Sequence, residues 1–135
     1  MSQDARIHAQ AEVTVNSHEA MPYDDGSEPA LIEIRIEETF AGDLDGTSTV
    51  RALQVAYSPE RASLLTLQRF RGRLKEKTGT FVLEGRGQVE QGQIEVKWSV
   101  VPQSGTEELA GLRGEGGFKG RFGKGSTAAL DFWFD

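Results

Sequence analysis

The chain has 135 residues, no cysteine and two histidines, and its 15 basic and 21 acidic side chains leave a net charge of −6. A chain of this length forms one domain and can bury a core without disulfides or a structural metal. The lack of cysteine excludes a disulfide scaffold, a thiolate zinc site and a cysteine nucleophile, and two histidines argue against a histidine-rich metal centre. The acidic balance argues against nucleic-acid backbones and anionic membranes as partners. We therefore predict a single domain over residues 1–135, with no metal and no cofactor.

The sequence also lacks the marks of membrane insertion and secretion. No run approaches the roughly 18 consecutive apolar residues that a membrane-spanning helix needs. The first ten residues include Asp4 and contain no apolar stretch of the kind found in a signal peptide. We expect a soluble protein located in the cytoplasm.

Alternation of apolar and polar side chains indicates most of the secondary structure. In residues 7–16 every second residue is apolar, and Ile32, Ile34 and Ile36 alternate with charged side chains in the same way. A period of two residues is typical of a half-buried strand. By this criterion, and by the glycine-rich or proline-rich turns between segments, we predict strands near residues 7–16, 32–40, 47–57, 80–89, 94–100, 112–118 and 128–134.

Residues 59–75 fit two structures. Ser58 and Pro59 form a typical helix start, and Leu64, Leu67 and Leu74 recur near helical spacing. The same segment also alternates as a strand would, and periodicity leaves both possibilities open. Further on, Thr106–Ala110 followed by Gly111 predicts a single helical turn. About eight short strands with at most one real helix indicate an antiparallel meander, closed into a barrel or folded as a sandwich.

The most specific stretch is the glycine-rich run Pro102–Gly117. It resembles the signature of the bacterial domain-of-unknown-function family 3224, whose members have an allene oxide cyclase-like β-barrel. Other matching pieces occur in the same order along nearly the whole chain: Pro22–Asp24, Thr39–Ser48, Arg69–Leu74, Gly79–Leu83 and Leu130–Phe132. The resemblance implies an eight-stranded antiparallel barrel rather than a sandwich, and a strand rather than a helix over Ala62–Leu74.

The resemblance brings no activity with it, because the family has none established. The chain also departs from the family at two positions, since it has Gln68 where members often carry glutamate and Gly85 where they often carry histidine. An acid–base pair at those positions is therefore missing from this chain. The pocket glutamate of the related plant cyclases falls near Thr14, so we transfer no catalytic role.

The candidate site residues are polar or aromatic side chains on the predicted strands. Glu38 and Glu84 would suit proton transfer if they pointed inward, although an outward glutamate is the more common arrangement. Arg113 and Glu115 share a strand face and are expected to form an ion pair at the barrel mouth. Gln68, Phe70, Phe81 and Trp98 would line a pocket or simply fill the core.

Two weaker patterns have ordinary structural explanations. His18 follows the first predicted strand near acidic residues and would be a general base or weak metal ligand only in a defined site, so we expect a solvated histidine. Arg69, Arg71 and Arg73 lie on one strand face, where a solvated surface is the simpler interpretation than a nucleic-acid patch.

Three functions remain open from the sequence. The barrel could bind a small apolar or amphipathic molecule in its interior, it could be a cofactor-free isomerase or cyclase, or it could be filled and have a structural role. We rank ligand binding first, because the residues show no acid–base pair. We also predict a homo-oligomer, with the isoleucines of Ile32–Ile36 as a possible contact surface.

Overall fold

The computed structural model describes residues 6–24, 26–121 and 125–135. Eight β-strands and one short 3₁₀ helix follow one another along the chain. The strands are β1 (Ile7–Tyr23), β2 (Ala30–Gly42), β3 (Leu44–Ser58), β4 (Arg61–Leu74), β5 (Lys77–Glu90), β6 (Gln93–Val100), β7 (Leu112–Arg121) and β8 (Ser126–Phe134), and the helix is Glu107–Leu109 between β6 and β7. Each strand pairs antiparallel with its neighbours in sequence, and β8 pairs with β1 to close the barrel. The predicted all-β, eight-stranded antiparallel barrel is confirmed.

The ambiguous segment is a strand, so the helix suggested by local signals is wrong. β4 pairs with β3 on one side and with β5 on the other along almost its whole length. Leu64, Phe70 and Leu74 are buried, whereas Leu67 is 56% exposed. The three buried residues are separated by even numbers and therefore share one face of a strand, while a helical face would have buried Leu67 with them.

Several strands extend beyond their predicted limits. β1 continues to Tyr23, because a β-bulge between Val15 and Ser17 shifts the register and allows pairing with β2 to go on. The predicted turn at residues 42–46 shrinks to Asp43, the only residue between β2 and β3. The helical turn predicted at Thr106–Ala110 is present as the 3₁₀ helix.

One end of the barrel, which we call the closed end, is filled by large apolar side chains. Phe40 and Phe70 meet edge to face with ring centroids 5.4 Å apart, and the rings of Phe70 and Phe81 lie 5.2 Å apart. All three are at most 1% exposed, as are Leu44, Leu74, Leu109 and Leu112. Burial of each such side chain contributes about 1.5–3 kcal/mol, so this end holds much of the stability of the fold.

The segment Val101–Leu109 covers the closed end. β5 begins six residues before its pairing with β6 does, which would leave the backbone of Lys77–Val82 unpaired on that side. The covering segment supplies the missing partners: the amide of Val101 donates to Val82 O at 2.9 Å and that of Thr106 to Thr80 O at 2.9 Å. Gly79 permits this approach, because a Cβ there would collide with the carbonyl oxygen of Thr106.

The opposite end, which we call the open end, lacks such a cover in the described residues. β1 pairs with β8 only from Ile7 to Val13, so its remaining residues pair with β2 alone. Val15 pairs with Glu38, and His18 pairs with Ile36. Val15 and His18 are exposed, although their partners lie on the inner face of β2. The interior is therefore closest to solvent beside the second half of β1.

Candidate functional site

The predicted site residues separate into an inner and an outer group. Glu38, Gln68, Phe70, Phe81 and Trp98 are buried on the inner faces of their strands. Glu84 and Glu115 are exposed and Arg113 is half-buried, all three on the outer face. Glu84, Arg113 and Glu115 are therefore excluded as pocket candidates, because the alternation of β5 and β7 turns these positions outward. For Glu84 this is the outward arrangement that we expected from the sequence as the more common one.

Arg113 and Glu115 also do not pair with each other as predicted. Arg113 Nη1 lies 3.3 Å from Asp135 Oδ2, and Glu115 Oε2 lies 2.8 Å from Arg6 Nη1. Both are surface ion pairs near the barrel seam: one joins β7 to Asp135, just after β8, and the other joins β7 to Arg6, just before β1. Exposed pairs of this kind contribute little to stability.

The inner group contains a polar cluster that spans three strands. It consists of Glu38 on β2, Ser48 on β3 and Gln68 on β4, all of them buried. Glu38 and Ser48 are direct cross-strand partners. Gln68 Nε2 donates a hydrogen bond to Ser48 Oγ at 2.7 Å and a longer one to Glu38 Oε1 at 3.4 Å. A buried carboxyl, hydroxyl and amide thus meet on one side of the interior.

Burial dominates the electrostatics of Glu38. Loss of solvation raises the pKa of its carboxyl from 4.5 to about 7, and the hydrogen bond from Gln68 opposes the rise. At neutral pH both the protonated and the ionised form of Glu38 are therefore populated. A carboxyl that titrates in this range can donate or accept a proton under physiological conditions.

Two further buried side chains, Thr66 on β4 and Trp98 on β6, each carry a polar atom without a hydrogen-bond partner among the described residues. These atoms are Thr66 Oγ1 and Trp98 Nε1. Both side chains converge over Gly85, which is the cross-strand partner of Thr66 and of Trp98. A Cβ on Gly85 would collide with Thr66 Oγ1 and would lie 3.0 Å from Trp98 Cδ1. The buried interior therefore contains two unsatisfied groups, the hydroxyl of Thr66 and the indole N–H of Trp98.

Aromatic rings separate this polar cluster from the closed end. The ring of Trp98 lies 6.3 Å from Phe40 and 5.6 Å from Phe118, measured between centroids. Phe70 and Phe81 are fully buried members of the apolar core. Glu38 and Thr66 each keep 8% of their surface exposed, so the interior near them is less completely sealed.

Sequence reasoning identified Glu38, Gln68 and Trp98 but missed Ser48 and Thr66. Both missed residues occur at inward strand positions, Ser48 two residues before Val50 and Thr66 between Leu64 and Gln68. The alternation of strand residues could have identified them, because it places Ser48 and Thr66 on the same face as the buried residues. A lone serine or threonine in a strand is otherwise indistinguishable from a surface residue.

The remaining candidates lie apart from the cluster. His18 is exposed, as are Arg69, Arg71 and Arg73, and Arg73 pairs with Asp45 at 3.2 Å. Ile34 is buried and Ile32 and Ile36 are half-buried, so the prediction that these isoleucines supply an outer contact surface is wrong. Within residues 6–24, 26–121 and 125–135, no three histidine, aspartate or glutamate side chains are grouped as metal ligands. In that same part of the chain, no helix has the length and apolar character to cross a membrane.

Comparison with known proteins agrees with this architecture. A crystal structure of a protein of unknown function from the DUF3224 family of Shewanella oneidensis MR-1 superposes with a TM-score of 0.76 at 22% identity, covering 96% of this chain and 98% of that one. At this identity the likeness establishes the fold alone. No curated protein matches the chain. The model of the family described as "Protein of unknown function (DUF3224)" matches residues 7–134, and the chain therefore belongs to the DUF3224 family.

Proposed function

We propose that the open half of the barrel binds a small neutral amphipathic molecule through a carbonyl or hydroxyl oxygen. The observation that carries this proposal is the pair of unpartnered polar groups, Thr66 Oγ1 and Trp98 Nε1, beside the buried Glu38 and Gln68. A buried polar atom without a partner costs about 1–3 kcal/mol. A ligand oxygen that accepts hydrogen bonds from the hydroxyl and the indole would remove this cost.

The surroundings of the cluster define the rest of the ligand. Ile34, Val50, Ala52 and Leu64 are buried on the inner faces of neighbouring strands and provide an apolar wall towards the open end. Glu38 disfavours a ligand carboxylate whenever it is ionised itself, which is why a neutral ligand fits better. Ligand pockets are in general mainly apolar and contain a few polar groups that orient the ligand. A ligand with an apolar body and one oxygen fits such a pocket.

The test uses three six-carbon probes that differ in one group, namely 2-hexanone, n-hexane and hexanoate. Trp98 reports binding directly in a Trp133→Phe background, since the chain has only these two tryptophans. We expect saturable changes in Trp98 fluorescence with 2-hexanone, at a Kd about three to ten times lower than for n-hexane, the factor that one neutral hydrogen bond supplies. Hexanoate should bind most weakly above pH 7, where Glu38 is ionised.

Matched variants identify the groups involved. Thr66→Val keeps the side-chain shape and removes one of the two proposed donors, so it should raise the Kd of 2-hexanone towards that of n-hexane. Thr47→Val on the outer face should change neither Kd. Equal Kd values for 2-hexanone and n-hexane, or no saturable response to any probe, would contradict the proposal. A barrel filled throughout, with a structural role, would then be the better interpretation.

A second candidate function, a cofactor-free isomerase, is favoured by the Glu38 pKa of about 7. In its minimal form the Glu38 carboxylate removes a proton from the carbon next to the ketone, the C–H electron pair forms an enolate, and the carboxyl returns a proton to carbon. In D₂O this cycle leaves deuterium on 2-hexanone, which NMR detects. We expect faster exchange with the wild type than with Glu38→Gln, and equal rates would exclude this activity towards the probe.

A further inference from the structure

An exposed apolar surface lies on the outside of the barrel, independent of the interior cluster. It is formed by Leu53 on β3 and by Leu65 and Leu67 on β4, which are 48%, 45% and 56% exposed. We call these three residues the leucine face. A surface cleft of about 800 Å³ includes Leu53 and Leu65 together with Tyr23, Leu31 and Val55. Neighbouring exposed apolar side chains of this kind are candidates for an interaction surface.

Charged side chains frame the leucine face in a regular order. The cross-strand register arranges the outward residues in rows that run from β2 to β5. The first row is Glu33, Leu53, Leu65 and Arg86. The second row is Arg35, Arg51, Leu67 and Glu84. The β2 side therefore carries Glu33 and Arg35, and the β5 side carries Arg86 and Glu84. Within each row, the two outer charges have opposite signs.

We propose that the leucine face binds a second copy of this chain about a two-fold axis that runs along the strands between β3 and β4. This axis places β2 of one subunit over β5 of the other. Glu33 then faces Arg86 of the partner subunit, Arg35 faces Glu84 of the partner subunit, and Leu53 faces Leu65 of the partner subunit. Each contact occurs twice, as in any isologous dimer, and the two sheets pack with aligned strands.

An axis across the strands would also bring opposite charges together, since it would pair Glu33 with Arg35 of the partner subunit. The neighbouring row is what distinguishes the two arrangements. Next to the first row lies an uncharged row of Leu31, Val55, Ser63 and Gln88. The axis along the strands packs this uncharged row against its own copy. An axis across the strands, midway between the two charged rows, would instead place Leu31 against Glu37 of the partner subunit and Ser63 against Arg69 of the partner subunit.

The isolated subunit also contains a repulsive contact that the second copy would relieve. Arg35 and Arg51 are direct cross-strand partners on the outer face, and like charges in that position are unfavourable. Glu33 reaches Arg35 Nε at 3.5 Å. In the proposed dimer, Glu84 of the partner subunit lies over Arg35 and beside Arg51, so it adds a carboxylate where two guanidinium groups meet.

The test measures molar mass by light scattering on the full chain at about 100 µM, well above the Kd expected of a standard-size interface. We expect twice the chain mass of 14.8 kDa for the wild type. Glu33→Lys and Arg86→Glu should each weaken the dimer at least 100-fold, because each places like charges opposite one another at two positions. Glu12→Lys makes the same charge change on the outer face of β1, away from the leucine face, and should leave the mass unchanged.

Mixing the two interface variants is the decisive step. In a mixed dimer the lysine introduced by Glu33→Lys in one subunit would face the glutamate introduced by Arg86→Glu in the other. At the second copy of this contact the unchanged Arg86 and Glu33 would face each other, so an equimolar mixture should recover the dimer. Circular dichroism and the melting temperature establish that both variants are folded. A wild-type mass of one chain or of three chains, or a mixture that remains monomeric, would overturn the proposal.

Discussion

The closed and open ends of the barrel use their inward positions in opposite ways. At the closed end, Phe70, Phe81 and Leu109 are fully buried and the segment Val101–Leu109 covers them. Towards the open end, the same strands place Glu38 and Thr66 inward, and β1 continues past its last β8 partner. One sheet thus carries a densely packed apolar half and a half that contains incompletely paired polar groups.

This difference shows how a small barrel can tolerate an unfavourable interior. Each large apolar side chain at the closed end contributes about 1.5–3 kcal/mol, whereas each unpartnered polar atom near the open end costs about 1–3 kcal/mol. Stability from the closed end thus offsets the cost of the unpartnered polar groups in the other half. Variants at the two ends should therefore respond differently to the same measurements.

The largest expected effect concerns the closed end. Phe70→Ala should lower the free energy of unfolding by about 3–5 kcal/mol, because it leaves a cavity among rings that cannot collapse around it. Urea titration followed by circular dichroism measures the change. Val15→Ala at the open end, where the side chain is 47% exposed, should cost less than about 1 kcal/mol. Similar losses for both variants would contradict the distinction between the ends.

The next effect is a pH dependence that arises at the open end. The folded protein retains the Glu38 proton up to about pH 7, whereas the unfolded chain releases it near pH 4.5. The folded state binds more protons in this window, so the stabilisation is complete below pH 4.5 and is lost as the pH rises to about 7. The loss amounts to about 3 kcal/mol, since each pKa unit corresponds to about 1.4 kcal/mol.

Glu38→Gln should remove this loss. The measurement is urea unfolding of wild type and variant at several pH values between 4 and 8. Glu12→Gln, the same substitution on an exposed side chain of β1 away from the leucine face, should keep the wild-type profile. If wild type and Glu38→Gln lose stability in parallel over this range, the buried carboxyl is not the cause.

A smaller effect concerns the cover over the closed end. Ser104 Oγ donates to Val101 O at 2.7 Å and accepts the amide of Val82 at 3.0 Å. Ser104→Ala should cost about 1–2 kcal/mol by removing both hydrogen bonds. Hydrogen exchange at the Val82 amide should accelerate. Ser17→Ala, on the part of β1 that pairs with β2 but not with β8, serves as control. Unchanged protection of Val82 would show that Ser104 does not hold the cover on β5.

The smallest effect has the opposite sign. Thr66→Val removes a buried hydroxyl without a partner and keeps the side-chain shape, so it should raise the free energy of unfolding by about 1 kcal/mol in the absence of ligand. Thermal or urea unfolding measures the gain, and Thr47→Val on the outer face should be neutral. Destabilisation by Thr66→Val would show that the hydroxyl is satisfied in the unliganded protein.

Much of the fold was predictable because alternation is a local property. The apolar positions of residues 7–15, 32–36 and 94–100 alternate strictly, and each of these segments is a strand. Glu38 was predictable as an inward candidate by the same rule, since it shares the face of Ile34 and Ile36. For Glu84 the rule gives the outward direction, because its neighbour Leu83 is fully buried.

The sequence by itself thus determined seven of the eight strands, their approximate positions and the direction of most side chains, all of which follow from a two-residue period. Only the tertiary structure decided that residues 61–74 form a strand, because Leu64, Phe70 and Leu74 satisfy both periods and the deciding hydrogen bonds come from β3 and β5. It also decided the bulge after Val15, the meeting of Glu38, Ser48 and Gln68, and the approach of Thr66 and Trp98 to Gly85. These features depend on the register between strands, which brings together residues that are far apart in the chain.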